Sequence, residues 1–482
     1  MKKLKNIALL FGPICFGVFY LFQPLDGSPS INRMTGILLW MAIWWFSECV
    51  HLAVTALLPL VLLPLTQIAN VKEVSKEYSD SIIFLFLGGF LLSIAIEKWD
   101  VHKRIARNIL KITGNSTQGI LLGVMFSCFL ISNWISNTAT ALMLFGAVLA
   151  LIKELDSSFT DKDKNLLAQA LLLGMAYASS IGGMATPVGT PPNMYFFKMY
   201  PKLMDNNIQI TFLQWIIMFF PLSFLILIGC FFILKILFLN KMQRKTISSK
   251  NFEWNKKTNM SYEEKVILIV FLITIGLWLT RENLNFGSIT IYGWKNLFSH
   301  SEYIDDAVVA MSSAISLFVI PSKKNKNEAL LVWEDIKQLK YEILLLFGGG
   351  FALAYGFEKS GLIEYLIQSM RFIQGISPLI LIFLIGTVIA LISEFASNIA
   401  TIQLALPLII AMTSHLPAMY TSKLIFSSVL FASVGFMLPV ATAPNMIAFG
   451  SGCIPMHAML KAGFWLDVFC IFTITIHSYF FI

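Results

Sequence analysis

Charge is scarce in this chain: Asp, Glu, Lys and Arg make up 13% of its 482 residues, against 57% hydrophobic residues, and the mean hydropathy is +0.75. That shortage excludes a water-soluble globular protein, which could not hide so much apolar side chain from water. Cysteine is equally sparse. The six thiols (Cys15, Cys49, Cys128, Cys230, Cys453, Cys470) stand singly in apolar segments, without CxxC spacing or a pair of external candidates, which reads as buried free thiols. The six histidines are dispersed, so no histidine metal centre is indicated. Gly88-Gly89 and Gly348-Gly349-Gly350 lack a following Lys-Ser/Thr, which excludes a phosphate loop and suggests close helix packing. A net charge of +8 would suit nucleic acid, but the lysines and arginines lie in short loops between apolar runs, where they set orientation.

What is abundant is membrane-length hydrophobic sequence. Windows able to cross a bilayer fall at 6–23, 34–50, 52–66, 82–97, 166–197, 211–239, 264–280, 305–321, 341–358, 424–450 and 461–481. The expected fold class is an all-α polytopic membrane protein with about 11 transmembrane helices. The first window follows the basic start Met1-Lys2-Lys3-Leu4-Lys5 and lacks a small-residue cleavage site, so it reads as a span and not a removed signal. With the N-terminus in the cytoplasm and the C-terminus outside, inner loops hold 24 Lys and Arg and outer loops ten. The sequon Asn115-Ser116-Thr117 then lies inside, where it would not be glycosylated. Residues 241–263 form a basic, polar inner linker suited to surface exposure or lipid headgroup contact.

Two further apolar segments, 117–151 and 375–412, are interrupted near their middles by Ser136-Asn137-Thr138-Ala139-Thr140 and Ser397-Asn398-Ile399-Ala400-Thr401. Each reads as a re-entrant hairpin. Each is followed by a second polar break, Thr190-Pro191-Pro192-Asn193 and Thr442-Ala443-Pro444-Asn445. An offset of 261 superposes Gly88-Gly89-Phe90, Glu97-Lys98 and Ser136-Asn137 on Gly349-Gly350-Phe351, Glu358-Lys359 and Ser397-Asn398. An offset of 252 superposes Gly183, Pro187-Val188, Thr190 and Pro192-Asn193-Met194 on Gly435, Pro439-Val440, Thr442 and Pro444-Asn445-Met446. Five crossings separate the two copies, so the second is expected upside down, with both hairpin tips at one midplane site.

Broken helices survive in hydrocarbon only where protein, water or a bound ion satisfies the freed backbone groups. Carbonyls beside Ser, Thr and Asn oxygens suit a hard monovalent cation. The helices that begin at the same breaks present N–H groups and positive dipole ends to an anion. The blander reading has Ser136, Asn137 and Thr138 as buried helix caps, and the prolines as ordinary kinks. Two copies in matching register favour a binding site. Glu48 and Glu394 are further candidates as acidic groups near apolar sequence, Glu48 alternatively a helix end. Neither an enzyme's nucleophile-and-base constellation nor a channel's filter is present in the pattern.

These motifs together resemble the divalent anion:sodium symporter (DASS) family of dicarboxylate, citrate and sulfate transporters. The resemblance rests on Ser136-Asn137-Thr138, Gly189-Thr190-Pro191-Pro192-Asn193, Ser397-Asn398 and Ala441-Thr442-Ala443-Pro444-Asn445, with Ser47-Glu48 and Thr55-Ala56-Leu57-Leu58-Pro59 in support. It implies a secondary active symporter for a dianion, most simply a C4-dicarboxylate, with Na+ as coupling ion and no cofactor. The same fold would also serve a sodium-independent exchanger or a sulfate or tricarboxylate carrier. It further implies an elevator-type homodimer, and the uncleaved first span and compact loops point to a bacterial inner membrane. Scaffold would be residues 1–114 and 264–374, and the moving transport unit 115–240 and 375–482. One sodium site would be Ser132, Ser136, Asn137 and Gly189, and the second Ser393, Ala396, Asn398 and Ala441. Substrate would meet Ser136, Asn137, Thr138, Thr190, Ser397, Asn398 and Thr442. The chain departs from the family pattern at Ile399, where many bacterial members have Thr, at His51 in place of a usual Pro, and at Ala443 in place of the first Pro of the second Pro-Pro-Asn.

Overall fold

The structure is a computed structural model describing residues 2–114, 116–153, 159–203, 210–242, 259–286, 289–325, 327–369, 376–413 and 416–482. Asn115 of the sequon and residues 243–258 of the inner linker lie outside the described residues. Five helices open the chain: α1 (Lys2–Phe22), α2 (Pro29–Ser47), α3 (Leu52–Thr55), α4 (Leu58–Leu65) and α5 (Val71–Glu77). A first series follows: α6 (Ser81–Lys98), α7 (Val101–Thr113), α8 (Thr117–Ser132), α9 (Asn137–Lys153), α10 (Asp161–Met184), α11 (Pro191–Leu203) and α12 (Phe212–Leu237). Next come α13 (Tyr262–Leu279) and α14 (Asp306–Val319). A second series closes the chain: α15 (Tyr341–Ser360), α16 (Leu362–Ser369), α17 (Pro378–Ser393), α18 (Asn398–Thr413), α19 (Ala418–Phe431), α20 (Ala443–Gly450) and α21 (Met456–Phe481).

The fold is that of a polytopic membrane protein, nearly all helix, and among the described residues five helical segments are long and apolar enough to cross a membrane. One small departure from an all-α chain is the antiparallel pair β1 (Leu284–Phe286) and β2 (Ile289–Ile291) in the loop after α13. The third apolar window is a second departure: it divides into α3 and α4 around Ala56-Leu57, with Pro59 near the start of α4 where its missing N–H costs nothing. Residues 98–111, which fall between the apolar segments 82–97 and 117–151, are mostly the amphipathic helix α7. Its polar positions outweigh its apolar ones in an average, which hid it from a search for apolar spans.

Polar residues start the apolar helices. Ser116 Oγ accepts from Gly119 N at 2.9 Å at the head of α8, and Ser377 Oγ from Ile380 N at 3.4 Å at the head of α17. Such caps satisfy N–H groups that the helix leaves unpaired. Helix α10 is the core, buried along Leu167–Met184 and packed on α8, α9, α12 and α20. Close packing accounts for Gly88, where a Cβ would overlap the Ala310 backbone, and for Gly349, where one would overlap the Ala56 backbone, but not for Gly89, where a Cβ would meet open space. Helices α8 and α9 form one hairpin, α17 and α18 the other, with turns at 133–136 and 394–397. The second arm of each packs on the short broken helix of the other half, α9 on α20 and α18 on α11.

Candidate functional site: two Ser-Asn tips facing two helix breaks

Each hairpin turn is closed by its serine and asparagine. Ser132 Oγ donates to Asn137 Oδ1 at 2.8 Å, and Ser393 Oγ donates to Asn398 Oδ1 at 3.0 Å. Ser136 caps α9, its Oγ accepting from Ala139 N at 3.3 Å. The capping reading of this serine therefore holds as local structure. Asn137, Thr138, Ser397 and Asn398 are half-buried, while Ser132 and Ser393 are fully buried.

Each break in a long helix is held open by an asparagine. Asn193 Nδ2 donates to Gly183 O at 3.0 Å and Thr186 O at 2.8 Å, and Asn445 Nδ2 donates to Gly435 O and Leu438 O, both at 3.1 Å. These bonds occupy carbonyls that the interruption of α10 and α19 leaves without helical partners. Thr442 caps α20 by accepting from Asn445 N at 3.3 Å.

Close backbone approach brings tip and break together. A Cβ on Gly183 would overlap the Asn137 amide, and one on Gly189 would overlap the Gly183 carbonyl. Ser132, Asn137, Gly183 and Gly189 thus converge in the first half. In the second, Gly435 lies against Ala441 and the Ser393 backbone, so Ser393, Asn398 and Ala441 converge likewise. Ala396 lies in the second turn, buried, one residue before Ser397. Thr190 is buried at the head of α11, and Thr442 is half-buried at the head of α20. The packing of α9 on α20 and α18 on α11 joins the two sets.

The clusters are rich in oxygen and hold no cationic side chain. Among the described residues, no donor reaches the buried Oδ1 atoms of Asn193 and Asn445, and the buried hydroxyls of Thr140 and Thr401 have no partner. Uncompensated buried oxygens are costly, and a hard cation is one means of satisfying them. The residues therefore fit a sodium ion in composition.

Glu394 has a different place from that of a free intramembrane carboxylate. It is buried, and its two oxygens accept from Met437 N and Leu438 N, each at 2.9 Å, tying the second turn to the second break. Its counterpart at the offset of 261, Asn133, ties the first turn down in the amide orientation that its surroundings favour, with Nδ2 donating to Phe129 O at 2.8 Å and Gly182 O at 2.9 Å. The hydroxyl of Thr186 also donates to the Asn133 carbonyl. Glu48 is a helix end: it terminates α2 in left-handed backbone, φ 46°, with its carbonyl accepting from Lys5 Nζ at 2.9 Å. His51 takes up the loss of proline by capping α3, Nδ1 accepting from Ala53 N at 3.3 Å. All six cysteines are free, and Cys128, Cys230 and Cys470 are buried.

Three features around the tips and breaks escaped the sequence reading. The bracing role of Asn193 and Asn445 was visible only as a repeated Pro-Asn. Asp467, buried beside Glu394, was signalled by a lone carboxylate in the apolar run of α21. Trp134 in the first turn stacks on Trp278 of α13 at 6.3 Å and 4°, with Phe212 beside both. Its counterpart Phe395 is 71% exposed, so the two tips have unlike surroundings.

The sodium:sulfate symporter transmembrane-region model matches residues 3–481. A sodium-dependent dicarboxylate transporter, SdcS, of Staphylococcus saprophyticus is 37% identical over 98% of this chain and 91% of its own length. SdcS of Staphylococcus aureus (strain bovine RF122 / ET3-1) is 36% identical over 96% of this chain and 88% of its own. Two solved transporters share the fold at 12% identity. They are YdaH of Alcanivorax borkumensis, with a TM-score of 0.55 over 82% of this chain and 84% of its own, and MtrF of Neisseria gonorrhoeae, with 0.56 over 98% and 94%.

Proposed function

The chain belongs to the sodium:sulfate symporter family, and from that membership and the paired tips we propose that it carries a C4-dicarboxylate such as succinate, malate or fumarate across the membrane with sodium. The observation that carries this reading is the duplicated Ser-Asn contact, Ser132 with Asn137 and Ser393 with Asn398, each set against a broken helix. The names of the Staphylococcus relatives support sodium as the coupling ion and a dicarboxylate as cargo.

In this reading one sodium binds at Ser132, Ser136, Asn137 and Gly189, and a second at Ser393, Ala396, Asn398 and Ala441. The carboxylates of the substrate meet Ser136, Asn137, Thr138 and Thr190 from one half and Ser397, Asn398 and Thr442 from the other. Asn137 and Asn398 serve both ion and substrate, their oxygens toward cation and their NH2 toward anion. The N-terminal ends of α11 and α20 add positive partial charge. Two cations and these dipoles neutralise a dianion without arginine.

Transport follows from the inverted repeat. The first hairpin enters from the cytoplasmic side and the second from outside, and residues 115–240 and 375–482 move as an elevator against a homodimeric scaffold of residues 1–114 and 264–374. The N-terminus is cytoplasmic and the C-terminus external. The protein moves its ligands unchanged and catalyses no bond chemistry.

Succinate uptake into proteoliposomes tests this, with an inward sodium gradient compared against an equal potassium gradient and against preloaded internal dicarboxylate. Accumulation that requires sodium is expected. Uptake indifferent to sodium but driven by internal dicarboxylate would make the protein an exchanger, and uptake of sulfate or citrate alone would change the cargo.

A further inference from the structure

Helix α21 is pressed against the second helix break. Gly463 brings the two backbones together: a Cβ there would overlap Phe436 O and Met437 Cα. One helical turn further on, Asp467 is buried, and its carboxyl faces Glu394 and the backbone N–H of Phe436. That N–H does not close a hydrogen bond, and among the described residues no donor reaches either oxygen of Asp467. Tyr177 of α10 and Cys470 of α21 lie near it as well, the Tyr177 hydroxyl donating elsewhere, to Met459 O at 3.4 Å. Among the described residues no cation stands beside it.

Two adjacent buried carboxyls do not both ionise without a cation, because each would lose its hydration while repelling the other. Their partners decide which one keeps the proton. Glu394 accepts from Met437 N and Leu438 N, each at 2.9 Å, and such bonds favour the anion. Asp467 receives none, so the proton belongs to it, and its O–H finds the Glu394 carboxylate as acceptor. The first half has a donor at the corresponding place. At the offset of 252 Asp467 matches Trp215, whose Nε1 donates to Met184 O at 3.2 Å beside the first break.

We propose that Asp467 is a positioning residue of the second sodium site: as a neutral acid it donates a hydrogen bond to Glu394 and so fixes the second turn against the second break. Glu394 follows Ser393 in the chain, and its partner Leu438 accepts at its carbonyl from Ala441 N at 3.3 Å and from Asn445 Nδ2 at 3.1 Å. The bonds that start at Asp467 therefore end at Ser393 and Ala441, two of the proposed sodium ligands, while Asp467 itself is not among them. Without its donor the turn and the break are held less firmly, and the ion with them. The inference rests on the sodium reading given above.

Two measurements on the full chain decide the matter. The first is the infrared difference spectrum between the wild type and Asp467→Asn at alkaline pH, where exposed carboxyls are ionised. The carbonyl stretch of an un-ionised carboxylic acid should be present in the wild type and absent from the variant. The second is the sodium concentration that gives half-maximal protection against thermal unfolding in detergent, without substrate. Asp467→Leu, similar in size but without a donor, should raise it about ten-fold, as loss of a hydrogen bond to a charged group would. Asp467→Asn, whose amide N–H still donates to Glu394, should keep it within about two-fold of the wild type. Absence of the infrared band with sodium protection intact would overturn this inference alone. So would an unchanged sodium requirement in Asp467→Leu, or an equal rise in both variants. A wild type that sodium does not protect would overturn the sodium reading and this inference with it. The infrared test needs only the wild type and Asp467→Asn, so it stands even where the leucine variant does not fold.

Discussion

Asn193 and Asn445 brace their helix breaks with the same pair of bonds, each amide nitrogen donating to the carbonyls ten and seven residues earlier. The bonded residues recur at the offset of 252 that the sequence motifs define. Two stretches with different flanking sequences thus converge on one way of satisfying an interrupted helix. Replacing either residue by Ala removes two hydrogen bonds, each with a net value of about 1 kcal/mol. Loss of about 2 kcal/mol is expected from Asn193→Ala and from Asn445→Ala, read as a lowered unfolding midpoint in detergent. An unchanged midpoint in both would mean that the amides do not hold the breaks.

The tips offer a separable prediction. Asn137→Ala and Asn398→Ala remove the group that receives the serine hydroxyl and is proposed to meet both ion and substrate. Each variant should insert and elute normally yet lose succinate uptake by a hundred-fold or more. Near-normal uptake in either would refute the composite site.

Lys198 on α11 lies 2.6 Å from both Glu77 and Asp80 and 4.2 Å from the ring of Phe351, and its side chain is 5% exposed. This buried ion cluster links the proposed transport unit to the proposed scaffold. Removing one partner of a buried pair is costly because the other charge stays behind. Lys198→Met should therefore destabilise by about 3 kcal/mol, and adding Glu77→Gln should recover part of that loss. A double-mutant cycle in thermal unfolding measures the coupling, and strictly additive losses would show there is none.

The pH dependence of stability has an identifiable contributor on α7. His102 is buried, and burial pushes its pKa below the usual value despite the contact of Nδ1 with Ile96 O at 3.3 Å. The unfolded chain therefore takes up a proton near pH 6.5 that the folded chain resists, so stability falls as pH drops through that region. His102→Asn keeps a polar group but cannot titrate. The wild type should lose more of its unfolding midpoint between pH 7.5 and pH 5.5 than the variant does; parallel losses would assign the pH effect to other groups.

Much of the candidate site's local structure was legible because its signals are local. A polar pair inside an apolar run is conspicuous, and recurrence in register sets Ser136-Asn137 and Ser397-Asn398 apart from the other polar residues of the chain. Glu394 was legible as unusual but not as a brace, because its partners Met437 and Leu438 are backbone groups more than 40 residues away. Helix α7 was missed because its periodic polar and apolar faces cancel in a hydropathy average. The Lys198 cluster was missed because Lys198 is more than a hundred residues from Glu77 and Asp80, and all three look like ordinary loop charges.

The amino-acid sequence by itself determined that this chain lives in a membrane, that it is built from a repeated series of helices, and that both copies break at hydroxyl and amide residues. Those properties follow from composition and spacing, which hydrocarbon constrains residue by residue. Only the tertiary structure decided which carbonyls Asn193 and Asn445 hold and which short helix each hairpin rests on. It alone also placed Asp467 beside Glu394, against the second break. Each of these depends on atoms brought together across distant segments, and packing between helices, unlike burial in lipid, leaves no periodic mark on the chain.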